Sequence, residues 1–342
     1  MVEMATSENP HERVRQFFCF ASGLTPLPTD AKALSDFVSW AQRGHILGQV
    51  AAVASASDNK RLQTLLENAA TRSAYDKRML KFETERIERA LLGTDIRVVL
   101  LKGSAYVAED LLAGIGRRVS DIDILVKEED LPEAEKLLRQ AGWKDEVSTA
   151  NPYDQKYYRD WMHELPPLRH SKRRTIIDVH HRLLPRTARI SPDHLAMMAD
   201  ASPVGDGNLL VFAPVDRFIH SAIHIFADGA LETPARSLLE LFYLFNDLSV
   251  QERDSLESRA AFLNVMSPVQ IALWALKRYF GVMVIVNKSN ISKVLRLSIE
   301  TMVENGRAAP LARVLLYVRS HYLRMPLPLL MAHLFRKAIR RG

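Results

Sequence analysis

The sequence predicts an α+β fold, with a mixed sheet in the middle and helices at both ends. Residues from about 12 to 93, and again from about 192 onward, carry apolar side chains at three- and four-residue spacing. Between them, three short runs rich in β-branched residues, IRVVLL, DIDILV and TIIDVHHRLL, alternate with segments that open and close like helices. The expected division is a helical region at 1–94, an α/β core at 95–185 and a helical domain at 186–342.

Each element has its own warrant. Phe17, Phe18 and Phe20, then Leu34, Phe37, Val38 and Trp40, place helices within 12–56. Leu62, Leu65, Leu66, Met79, Leu80, Phe82, Ile87 and Leu91 predict one long helix or two, ended by Gly93-Thr94-Asp95. IRVVLLKGS (96–104) is a continuous apolar run closing on Gly103, which suits a buried strand. A helix is expected from Ser104 to Gly114. DIDILV is the next strand, and 129–142 a helix with Pro132 in its first turn and Gly142 past its end. WKDEVS suggests another strand, 150–174 reads as irregular, and TIIDVHHRLL (175–184) reads as a strand. From about 192 the expectation is helical to the end.

Composition bounds the function. Of the 342 residues 47% are hydrophobic and 25% charged, an ordinary globular balance with enough chain for a large core. The single cysteine, Cys19, excludes an intramolecular disulfide and any multi-cysteine metal site. MVEMATSENPHERVRQ has no apolar signal core, and no uncharged run is long enough to span a bilayer, so a soluble, cytoplasmic protein is expected. The net charge of +6 favours anionic partners without choosing among them.

The chemistry gathers on carboxylates. Alternation along a strand points Asp121 and Asp123 the same way and sends Ile122 and Ile124 into the core. Their α-carbons then stand roughly 6.6 Å apart, close enough to share one or two divalent cations. The plain alternative is a solvated acidic pair with Ser120-Asp121 in a turn. Two neighbours favour the cation. Upstream, Gly103 and Ser104 stand between a strand and a helix, where backbone N–H groups receive phosphate. Downstream, Asp178 shares a strand face with Ile176 and His180, an acid flanked in sequence by Ile177 and Val179.

These residues carry a resemblance. Gly103-Ser104, Asp121-Ile122-Asp123 and a later strand Asp178 resemble the signature of the DNA polymerase β-type nucleotidyltransferase superfamily. More narrowly, LLKGSA, RRVSDIDILV and IIDVHHRL are similar to a bacterial group described only as nucleotidyltransferase family proteins. The resemblance implies a polymerase β-type core flanked by helices. It implies that Asp121 and Asp123 hold Mg²⁺ (or Mn²⁺) on an NTP, and that Asp178 binds a second ion and helps deprotonate the acceptor. It gives Gly103 and Ser104 the β- and γ-phosphates, with NMP transferred to a hydroxyl and pyrophosphate released.

Other residues are weighed beside these. Lys102 would pair with phosphate, or else with a structural acid or solvent. Arg118, with Arg117 beside it, is placed for phosphate or pyrophosphate, against an ordinary solvated loop. His180 would ligate a metal, orient Asp178 or touch the acceptor, or be a structural histidine. His163 and His170 are acceptor contacts at most, and His220 and His224, at i and i+4, fit helix packing better than zinc. The segment 327–342, apolar then basic, reads as a docked helix, with a membrane surface or nucleic acid as the weaker alternatives.

Two function classes follow. One is a metal-dependent nucleotidyltransferase whose acceptor is a small molecule, a sugar, an RNA end or a protein side chain. The other is a non-catalytic module binding a nucleotide or a partner on the same fold. An RNA-binding protein of RRM or KH type is disfavoured, because aromatic and basic residues are not interleaved.

Overall fold

The computed structural model describes residues 9–54, 59–204, 207, 209–286, 290–328 and 330–331. The basic stretch 332–342, on which the membrane and nucleic-acid readings rest, lies outside the described residues. The helical front is α1 (Pro10–Ala21), α2 (Ala31–Arg43), α3 (Leu47–Val53) and α4 (Lys60–Ala90). The centre runs β1 (Val98–Leu100), α5 (Lys102–Ala108), β2 (Asp121–Leu125), α6 (Leu131–Gln140), β3 (Trp143–Asp145), α7 (Pro152–Trp161), β4 (Leu168–His170) and β5 (Ile176–His180). Then come α8 (His194–Ala199), β6 (Ser202–Pro203), β7 (Leu209–Val211), α9 (Pro214–Ile223), α10 (Pro234–Asp247), α11 (Val250–Phe262), α12 (Met266–Phe280), α13 (Lys293–Asn305) and α14 (Pro310–Arg324). A π-helical turn, His224–Asp228, follows α9.

Local chemistry sets the boundaries. The side chains of Asn9, Asp30 and Asn59 accept backbone N–H bonds at the starts of α1, α2 and α4. The apolar positions between 60 and 93 resolve into the single helix α4. Helix α5 starts at Lys102 rather than Ser104, with Leu101 as its N-cap. Lys102 takes φ +49°, the left-handed region that non-glycine residues seldom occupy.

Seven strands form one mixed sheet in the order β3-β4-β5-β2-β1-β7-β6 among the described residues. Strand β2 pairs parallel with β5 and antiparallel with β1, which pairs parallel with β7. Two expectations are corrected here. Within 150–174, read as irregular, lie helix α7 and strand β4. The Asn151 side chain caps α7 at Asp154 N–H and Pro152 occupies its first turn. Within the back, read as helical, β6 and β7 extend the sheet past residue 185. Strand β7 is a three-residue apolar run buried beside β1, and periodicity cannot separate so short a run from helix.

The core is one continuous cluster reaching from Val14 on α1 to Leu316 on α14. Phe18 of α1 packs on Tyr279 and Phe280 of α12, and Phe280 stacks on Phe242 of α10 at 4.3 Å. The front also meets the loop ahead of β2. A Cβ on Gly48 of α3 would lie 2.1 Å from the Gly116 carbonyl oxygen, so two bare backbones cross there.

Candidate functional site

The predicted alternation is present. Ile122, Ile124, Ile177 and Val179 are buried on one face of β2 and β5. The parallel register puts Asp123 directly beside Asp178, with Asp121 beside Ile176 and Leu125 beside His180. Asp121, Asp123 and Asp178 therefore converge on one face of the central strand pair and line one cleft of about 330 Å³. This is the size of a small-molecule site.

The electrostatics divide the three acids. Lys102 Nζ donates to Asp123 Oδ1 at 2.7 Å, and His180 Nε2 lies 3.0 Å from the same oxygen. Burial works against the Asp123 charge, but the Lys102 ammonium and the His180 bond outweigh it and hold the carboxyl well below the usual range. The same pairing, against burial, raises Lys102. Asp178 has no such partner. Its Oδ1 is buried without a hydrogen bond among the described residues. Burial first, then the charges of Asp123 and Asp121, push its carboxyl up to about 7.

A fourth acid arrives from an unpredicted direction. The chain after α7 runs antiparallel to the end of β5, with Leu165 N–H on Val179 O at 2.8 Å and His181 N–H on His163 O at 2.9 Å. This brings His163 and Glu164 against His180. His163 and His180 stack with ring centroids 5.2 Å apart, and Glu164 Oε2 lies 3.4 Å from His180 Nε2. Burial, then Asp178, push Glu164 up to about 8. Burial pushes His163 down to about 3.

The basic side of the cleft differs in detail from the sequence reading. Gly103 and Ser104 are buried and do not line the cleft, which Lys102, Arg117 and Arg118 do. The expectation that phosphate oxygens descend on Gly103 meets a filled space: a Cβ there would lie 1.1 Å from Arg117 Nη1. The glycine seats a guanidinium. Ser104 sits within the first turn of α5 rather than capping it, and its buried Oγ has no partner among the described residues. Arg117 donates from Nε to Glu240 Oε1 of α10 at 2.7 Å, while Arg236 Nε lies 3.8 Å from the same oxygen. Arg118 bonds Asp76 of α4 at 3.0 Å, on a more exposed flank.

A second chamber of about 300 Å³ adjoins the first, sharing Lys102, Arg117, His224, Asp228, Arg236 and Arg324 with it. Sequence reasoning did not find Glu164, Asp228, Arg236, Glu240 or Arg324. Their helices and loops carry no motif, and only the fold brings them to β2. The histidines sort cleanly. His224 faces Asp228 at 3.5 Å inside the cleft, whereas His220 is buried edge-on to Phe212. The His170 ring accepts backbone N–H bonds from Lys172 and Arg173, outside the cleft.

Among the described residues no helix is long and apolar enough to cross a membrane. No curated protein matches the chain. The sequence profile of a family described as uncharacterised nucleotidyltransferase matches residues 30–281, which take in the three aspartates, the Lys102–Asp123 pair and the α10 arginine that reaches the cleft. That span is more than half of the chain, and the chain belongs to this nucleotidyltransferase family.

Proposed function

We propose that the chain is a divalent-cation-dependent nucleotidyltransferase on a polymerase β-type core, moving an NMP from an NTP to a hydroxyl and releasing pyrophosphate. One observation carries the reading: Asp123 and Asp178 stand in register on adjacent parallel strands, and Asp178 keeps a buried oxygen with no hydrogen-bond partner among the described residues. An all-oxygen donor set of Asp121, Asp123 and Asp178 fits a hard cation such as Mg²⁺ or Mn²⁺. When bound, the cation would neutralise phosphate charge as the leaving pyrophosphate separates.

The chain's own residues do the rest. Asp178, whose carboxyl burial and the neighbouring aspartates push up to about 7, accepts the acceptor's proton in its ionised form. Arg117 and Arg236 share the single carboxylate of Glu240, which leaves positive charge facing the cleft for the triphosphate. Lys102 and Arg118 flank the same space, and the Gly103-Ser104 turn serves it by giving Arg117 room. His180 fixes Asp123 from the side. The three-part division at 94/95 and 185/186 belongs to this reading, with β6 and β7 lent to the core sheet, as does a cytoplasmic place of work.

The second reading, a module that binds nucleotide without turning it over, draws on the Lys102–Asp123 pair, which satisfies that acid without an ion. The experiment separates them. Labelled NTPs with Mg²⁺ are offered to panels of sugars, RNA ends, small alcohols and proteins, and pyrophosphate release is measured. Transfer that disappears in a folded Asp178→Asn variant supports the enzyme. Tight NTP binding with no pyrophosphate release against any acceptor supports the module.

A further inference from the structure

We infer that His163, Glu164 and His180 form a second metal site, beside the three aspartates in the same cleft, that takes a nitrogen-preferring ion of the Zn²⁺ class. One ligand atom from each residue lies within 4.8 Å of the other two. A Zn²⁺ ion with bonds of about 2.0–2.1 Å draws donors to roughly 3.4 Å apart, so small side-chain rotations close the site.

Hydrogen bonding supports the ion independently. His180 Nε2 faces two carboxylates, Asp123 at 3.0 Å and Glu164 at 3.4 Å, and one N–H cannot serve both. Asp123 has Lys102 as well, whereas no lysine or arginine among the described residues pairs with Glu164. His163 is 4% exposed and its Nδ1 is buried without a partner. An ion on the two imidazoles and Glu164 gives that carboxylate a cationic partner and leaves Asp123 with its ammonium.

The donor chemistry separates the two sites. Two imidazoles and a carboxylate match the three-ligand zinc sites that keep a fourth position open, whereas Mg²⁺ prefers oxygen. The backbone is arranged for it, because the antiparallel run of 163–165 along β5 fixes all three residues.

The test uses the full chain after chelator treatment. Zn²⁺ alone is titrated by calorimetry, and Co²⁺ is followed by visible absorption for a tetrahedral spectrum. A single Zn²⁺ should bind with far higher affinity than Mg²⁺. His163→Ala and the near-isosteric Glu164→Gln should each weaken it by about tenfold or more with unchanged circular dichroism. Asp121→Asn should leave it intact, so loss of the nucleotidyl-transfer reading would not touch this site. Failure of the wild type to bind Zn²⁺ would overturn the inference. So would binding that survives both the His163 and Glu164 substitutions, or binding that Asp121→Asn removes.

Discussion

Asp123 and Asp178 are neighbours in register, yet their charges are handled in opposite ways. Asp123 is paired with Lys102 at 2.7 Å, and both side chains are largely buried. Asp178 Oδ1 has no hydrogen-bond partner among the described residues, and Asp121 and Asp123 crowd its carboxyl. Neutralising the two therefore has opposite effects on the metal-free chain. Asp123→Asn strands a buried ammonium and should cost about 3 kcal/mol. Asp178→Asn removes repulsion and a desolvated charge, and should raise the melting temperature. Calorimetry without divalent ions reads both, and equal shifts of one sign would contradict the assignment. Glu164 offers a pH test. Its carboxyl is pushed up to about 8, so the folded chain keeps a proton that the unfolded chain has lost. Stability from this group is complete below its unfolded pKa and is lost as pH rises through about 8. The buried histidines, shifted down, are neutral in the folded chain, and above about pH 7.5 they are largely neutral in the unfolded chain too. The metal-free melting temperature should fall toward about pH 8.5, with Asp178, pushed up to about 7, adding at the lower end, and Glu164→Gln should reduce that fall.

At the scale of elements, strands β2 and β5 were the most legible part of the sequence, because alternation with Ile122, Ile124, Ile177 and Val179 states which side chains face the core. That Asp123 and Asp178 align was not legible, since no local pattern sets the register between strands separated by four elements. Helix α7 was signalled by Asn151-Pro152 and missed because its sequence, PYDQKYYRDW, offers aromatic and charged residues instead of an aliphatic stripe. Gly103 was recognised as a glycine that makes room, but what lies against it was not legible: no local pattern shows that Arg117, beyond α5, folds back over it. This gives the prediction at this scale. Gly103→Ala should displace the Arg117 guanidinium and leave Glu240, whose side chain is 8% exposed, without its 2.7 Å partner. A loss of about 3 kcal/mol is expected in denaturant unfolding, with partial recovery when Glu240→Gln is added.

For the whole molecule, the strands that carry the three aspartates do not make a free-standing unit. Strand β1 lies between β2 and β7, and β7 comes from beyond residue 185. A fragment of 95–185 would expose the fully apolar β1 along one edge and strip the core of α9, α10 and α12. It should lack dispersed amide resonances in NMR, whereas the full chain should show them. The front is bound as firmly as the back, through the crossing of Gly48 and Gly116. Only hydrogen fits between those two backbones, and Gly116 is the residue before Arg117. The crossing works as a rivet placed one link away from the guanidinium that covers Gly103. A displacement of α3 is therefore expected to reach the cleft as a movement of Arg117, one residue from the crossing.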